Sequence, residues 1–93
     1  MKYYNTQELI ETLTGKNASF IQKEAKIQEE RYGNVDVWEA WVDEDEIVID
    51  FGENDCHFMF NENGEIYDTY GHGCGLKNFK QIESCAKELH SKC

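Results

Sequence analysis

The chain has no proline, and its longest unbroken apolar runs are three residues, as in Ile47-Val48-Ile49 and Phe58-Met59-Phe60. The first absence leaves no proline-rich linker to separate domains. The second leaves nothing that could span a bilayer, which takes about 20 consecutive apolar residues. The opening residues Met1-Lys2-Tyr3-Tyr4-Asn5-Thr6-Gln7-Glu8 also lack the apolar stretch of a signal peptide. A cytoplasmic location is therefore expected, with Cys56, Cys74, Cys85 and Cys93 reduced. A third absence concerns charge: from Tyr32 through Leu76 there is not one Lys or Arg.

What is present fits one small domain over residues 1–93. Hydrophobic residues make up 40% of the chain and twelve are aromatic, enough to build a core despite a net charge of −10. Asn5 with Glu8 three residues on forms a capping box, and Thr6, Leu9, Ile10 and Leu13 follow at helical spacing. The spacing predicts a first helix that Gly15 stops in a left-handed C-cap. In 17–31, Phe20, Ile21, Ala25 and Ile27 do not gather on one helical face. A strand from about 25 to 31 is expected, turning at Gly33-Asn34 so that Ile27 opposes Ala40 and Arg31 opposes Asp36.

Val35–Val42 and Glu46–Phe51 read as strands, rich in Val, Ile, Trp and Phe. Joined through Asp43-Glu44-Asp45-Glu46, they oppose Val42 to Ile47, Ala40 to Ile49 and Trp38 to Phe51, an apolar face. Glu39, Trp41, Val48 and Asp50 fall on the other face. Cys56–Asn61 and Glu65–Tyr70 form a second hairpin around Asn63-Gly64, with Phe58 and Phe60 inward and His57 and Met59 outward. Its register stays open between a two-residue turn and a bulge. Asn78 with Gln81 repeats the capping-box pattern, and Phe79, Ile82, Cys85, Ala86, Leu89 and Cys93 share one face of a last helix. The expected fold is α+β: an antiparallel four- to five-stranded meander with an N-terminal and a C-terminal helix packed on one face.

The base-free stretch holds twelve acids, so the charge is −12 there, zero over residues 1–31 and +2 over residues 77–93. A solvated acidic face that aids solubility is one reading. Excluding bases over that length forgoes every cross-strand ion pair, each worth about 0.2–1 kcal/mol, and accumulates self-repulsion. That favours a surface kept acidic for a basic partner. Nucleic acid is excluded as a direct ligand because its phosphates would be repelled, and anionic lipid for the same reason. A nucleic-acid-binding protein or a nuclease complex fits instead. Carboxylates on one strand face repeat at about 6.6–7 Å, a spacing of the same order as that of duplex phosphates. The candidate partner-binding residues are Glu39, Trp41, Asp43, Glu44, Asp45, Glu46, Asp50, Glu53 and Asp55. Trp41, Val48 and Met59 would supply an apolar anchor unless another segment or an oligomer covers that face.

In its short acidic meander with flanking helices, the chain resembles the small acidic inhibitors that phages and mobile elements direct against CRISPR or restriction systems, and somewhat resembles bacterial toxin-immunity proteins. The resemblance implies that acids such as Asp43, Glu44, Asp45 and Glu46 occupy a nucleic-acid site on the target.

Other chemistries fare less well. Gly71-His72-Gly73-Cys74-Gly75 and His90-x-x-Cys93 together could form a His₂Cys₂ zinc site, the main competing reading. Neither half has Cys-x₂-Cys spacing, and Cys85 and Cys93 fall on the apolar helix face, where cysteine acts as a small hydrophobe. The three glycines suit a turn better than a dinucleotide fingerprint. Asp43-Glu44-Asp45-Glu46 lacks the glycine and spacing of a calcium loop. A pair such as Cys74 with His57 or His72 would need a pocket and an orienting group. No enzyme activity and no cofactor is expected.

Overall fold

A computed structural model describes residues 2–33, 38–43, 48–53, 56–61, 63–70 and 78–92, with backbone alone at 32, 48–53, 56, 67, 69 and 70. The elements are β1 (Lys2–Tyr4), α1 (Thr6–Thr12), α2 (Gly15–Tyr32), β2 (Trp38–Asp43), β3 (Val48–Glu53), β4 (Cys56–Phe60), β5 (Ile66–Tyr70) and α3 (Phe79–Ser91). The strands form one antiparallel sheet in the order β1-β2-β3-β4-β5. The class is α+β, but the expected meander with two flanking helices is corrected at two points. Residues 15–32 are a helix and not a strand at 25–31, which makes three helices among the described residues. The strand beside β2 is instead Lys2–Tyr4, ahead of the first helix, so two helices and not a hairpin join β1 to β2.

Both corrections have local causes. From Gln22 to Arg31 the residues are Gln, Lys, Glu, Ala, Lys, Ile, Gln, Glu, Glu and Arg, good helix formers with a single β-branched side chain. Gly33 ends that helix in the left-handed region at φ 69°, and its N–H donates to the Glu29 carbonyl at 2.8 Å. The helix buries Ile21 and Ala25 and sets Phe20 edge-on to Trp38, with centroids 5.5 Å apart. The capping box of α1 forms as expected: the Glu8 N–H donates to Asn5 Oδ1 at 2.8 Å, and the Asn5 N–H to Glu8 Oε1 at 3.2 Å. The stop does not, because α1 ends at Leu13 in extended conformation and Gly15 begins α2.

The core lies between the helices and one face of the sheet. Tyr4, Trp38, Ala40, Val42, Phe58 and Phe60 meet Leu9, Leu13, Ile21, Ile82, Cys85, Ala86 and Leu89 there. The β2–β3 register is displaced by two residues from the expected one: Val42 pairs with Ile49, Ala40 with Phe51 and Trp38 with Glu53. An even displacement keeps every residue on its expected face. Alternation fixes that parity, whereas the turn sets the step along the strand. In the second hairpin, Gly64 takes φ 76° and the Asn61 side chain accepts from the Asn63 and Glu65 N–H groups at 2.9 and 3.0 Å. The Asn61 N–H donates to the Glu65 carbonyl at 2.9 Å, so the turn is longer than two residues, with Gly64 in the left-handed region. Phe60 then faces Ile66, and the register shifts between Phe60 and Met59.

A polar latch ties α3 to the start of α2. Glu88 accepts from the Thr14 N–H at 3.2 Å, the Thr14 hydroxyl at 2.7 Å and the Asn17 amide at 2.8 Å, and pairs with Lys92 at 2.9 Å. Gln81 donates to Asn17 Oδ1 at 2.6 Å instead of closing a capping box with Asn78, which makes no side-chain cap bond. Desolvation opposes ionisation of Glu88, but donation from Asn17, Lys92 and Thr14 outweighs it and holds the carboxyl down at about 2.

Candidate functional site

The sheet face turned away from the helices follows from strand parity. Trp38, Ala40 and Val42 point into the core, so Glu39, Trp41 and Asp43 stand on the other side, and all three are half-buried. One register row crosses all five strands: Tyr3, Trp41, Asp50, Met59 and Asp68. The next row runs Glu39, Gly52, His57 and Tyr70. At about 4.8 Å between strands, the face is roughly 19 Å wide.

Three rings cluster on it. Trp41 lies 5.2 Å from Tyr3 and 5.8 Å from His57, between centroids. Gly52 is the register neighbour of both Glu39 and His57, and glycine brings no side chain of its own to that row. Tyr3 is 43% exposed and Met59 half-buried, whereas His57 is only 6% exposed although it occupies the outward row. The Tyr3 hydroxyl donates to Glu39 Oε2 at 3.0 Å. Lys2 is the one Lys or Arg in the five strands, and it takes the inward parity, with Nζ 5.0 Å from the Tyr4 ring centre.

Of the residues expected to bind a partner, Glu39, Trp41 and Asp43 come together here, with Asp50 in the Trp41 row by register. Glu53 pairs with Trp38 and so belongs to the row of the core face. Glu44, Asp45, Glu46 and Asp55 lie outside the described residues. Val48 is the register partner of Asp43 and Met59 that of Asp50, so the Trp41, Val48 and Met59 positions spread over three strands. Sequence reasoning missed Tyr3, because a three-residue strand before a capping box gives no periodic signal. It placed His57 outward but not against Trp41, a contact that depends on register.

The other candidate chemistries find little among the described residues. His72, Cys74 and Cys93 lie outside them, and no group of three or more His, Cys, Asp or Glu that could hold a metal occurs within them. Cys85 is buried in the core as a free thiol, pushed up to about 12 by that burial and then by Glu88. An open groove of about 560 Å³ between α1 and α2 is lined by residues such as Gln7, Ile10, Gln22 and Lys26, with no cysteine or histidine. Among the described residues no helix is long and apolar enough to cross a membrane. Compared with protein-family models, with curated proteins and with solved structures, the chain matches none.

Proposed function

We propose that this chain is a non-enzymatic binding protein whose acidic sheet face occupies a basic, nucleic-acid-binding surface of a partner protein. One observation carries the reading. Five adjacent strands offer outward rows without a Lys or Arg, and a half-buried tryptophan between two other rings sits among their acids. Carboxylates in such rows give a basic groove the charge pattern it meets in a phosphate backbone. The aromatic cluster supplies the apolar contact that interface anchors need. If the partner is a nuclease complex, the activity is inhibition of the anti-CRISPR or anti-restriction kind.

The test begins by capturing partners from bacterial lysate and competing them off with duplex DNA. Replacing Asp43, Glu44, Asp45 and Glu46 with Asn and Gln should leave the fold intact and slow association, and the wild-type on-rate should fall with salt. A partner that duplex does not displace, or an on-rate indifferent to salt, would overturn the reading.

A further inference from the structure

We propose that the Tyr3, Glu39, Trp41 and His57 cluster is an arginine receptor, in which a partner's guanidinium lies against the Trp41 indole and pairs with the Glu39 carboxylate. This rests on the basic-partner reading above and deepens it by naming the side chain the face selects.

The parts are already oriented. Trp41 is braced by Tyr3 on one flank, at 5.2 Å and 49° between ring planes, and by His57 on the other, at 5.8 Å and 35°. Glu39 is two residues from Trp41 on the same face, about 6.6–7 Å away along the strand, a gap that a guanidinium group spans. The Tyr3 hydroxyl, 3.0 Å from Glu39 Oε2, fixes that carboxylate beside the rings, and the second oxygen can meet an N–H fork. Asp43 on the same strand and Asp68 at the far end of the Trp41 row add negative field on this face.

The pairing of an indole with a carboxylate favours arginine over lysine. Guanidinium is planar, weakly hydrated and able to stack while donating sideways, whereas ammonium is a compact, strongly hydrated point charge. Arginine is also common in surfaces that grip phosphate. The same face offers a second copy of this chain less. The helices carry most of the bases, but α2 interleaves Lys23, Lys26 and Arg31 with Glu24, Glu29 and Glu30, and so presents no uniform positive field.

The test titrates the full chain with oligo-arginine and with oligo-lysine of equal length, at low and moderate salt. Affinity and the Trp41 side-chain NMR signals are followed. Oligo-arginine should bind roughly tenfold tighter and shift the Trp41 indole resonances, which oligo-lysine should leave nearly unmoved. Trp41→Ala should remove the preference. So should Glu39→Gln, which keeps an acceptor for Tyr3 and serves if the tryptophan variant fails to fold. Glu65→Gln, an equal charge loss in the hairpin loop, should preserve it. Equal, salt-sensitive binding of both peptides would overturn the arginine receptor and leave the acidic-surface reading standing. No binding of either peptide at low salt would remove the basic-partner reading itself. Self-association that Trp41→Ala and Glu39→Gln abolish would assign the face to a second copy and overturn the proposal.

Discussion

Replacing Glu88 with glutamine isolates the latch between α2 and α3 and gives it a pH signature. The carboxylate takes two donors on each oxygen: the Thr14 N–H and Asn17 amide on Oε1, the Thr14 hydroxyl and Lys92 on Oε2. It therefore closes the N-terminus of α2, whose own cap residue Thr14 makes no side-chain cap bond within the helix. Glutamine keeps one acceptor, but its NH₂ would face the Thr14 hydroxyl, which can turn, and the Lys92 ammonium, which cannot accept. The magnitude follows from the carboxyl being held at about 2 in the folded chain against an ordinary 4.5. At about 1.4 kcal/mol per pH unit the ceiling is roughly 3 kcal/mol. The Glu88 side chain is 15% exposed and that of Lys92 37%, so solvent screening trims this to about 2 kcal/mol.

Because the folded value is depressed, the contribution is present in full above pH 4.5 and fades as pH falls through about 2. Acidification also relieves the repulsion within a chain of net charge −10, which stabilises wild type and variant alike. The informative quantity is thus the gap between them. Urea melts at pH 7, 4.5, 3 and 2.5 should show about 2 kcal/mol at pH 7, little change at 4.5, and a gap narrowing steadily below that. A gap constant down to pH 2.5 would mean that the residue acts by packing and not by charge. The absence of any gap at pH 7 would refute the latch.

Trp38→Ala should cost about 3–5 kcal/mol in a denaturant melt, as expected for emptying a core aromatic site, whereas Trp41→Ala should cost about 1 kcal/mol; equal losses would mean both faces are sealed. Thr6→Val should cost about 2 kcal/mol, because the Thr6 hydroxyl donates to the Trp38 carbonyl at 2.7 Å and accepts from its N–H at 3.0 Å. A neutral outcome would show that those bonds do not hold α1 to β2. Gly64→Ala should cost about 1–2 kcal/mol for its left-handed φ, and Gly64→Asn less. An added Cβ would also meet Lys87 Cε at 2.5 Å and Cγ at 2.8 Å, so that exposed side chain must take another rotamer, and a much larger loss would show that it does not.

How much of this was legible varied with the physics behind each signal. Alternation of Trp38, Ala40 and Val42 against Glu39, Trp41 and Asp43 placed both faces of β2 correctly, because burial enforces a period of two. The register along β3 was not legible, since an acidic turn prefers no particular step. α2 was not legible from periodicity, because its apolar residues are scattered around the helix and its intrinsic propensity carries the signal instead. Ile21 and Ala25 suffice to anchor it once Gln22 to Arg31 favour a helix intrinsically. The Asn78 and Gln81 pair shows the opposite error, a local motif losing to a tertiary partner: Asn17 claims the Gln81 amide from another helix. Of the candidate face, the Trp41 orientation was readable and the ring cluster was not. The cluster needs Tyr3 from β1 and His57 from β4, and only topology brings those strands within reach of β2.

The composition of the outward face is not what this fold requires. A sheet covered by helices on one side needs apolar residues only on that side, and the other face can alternate Lys with Glu and gain about 0.2–1 kcal/mol from each cross-strand pair. Here the Trp41 row places Asp50 and Asp68 on either side of Met59 in register, with no cation at any of its five positions. A selection for solubility alone accounts for the acids but not for a 43%-exposed tyrosine tilted against a tryptophan. Packing alone accounts for the rings, since His57 is nearly covered, but not for the missing bases. The cationic ligand proposed above would account for both, because the rings and the carboxylates would then answer one group. The two halves of that explanation separate in experiment: charge governs the association rate and its salt dependence, whereas the rings govern how long the complex lasts. Glu39→Gln should therefore act on both rates and Trp41→Ala almost wholly on dissociation. A tryptophan variant that slows association as much as a charge variant would break the assignment of separate roles.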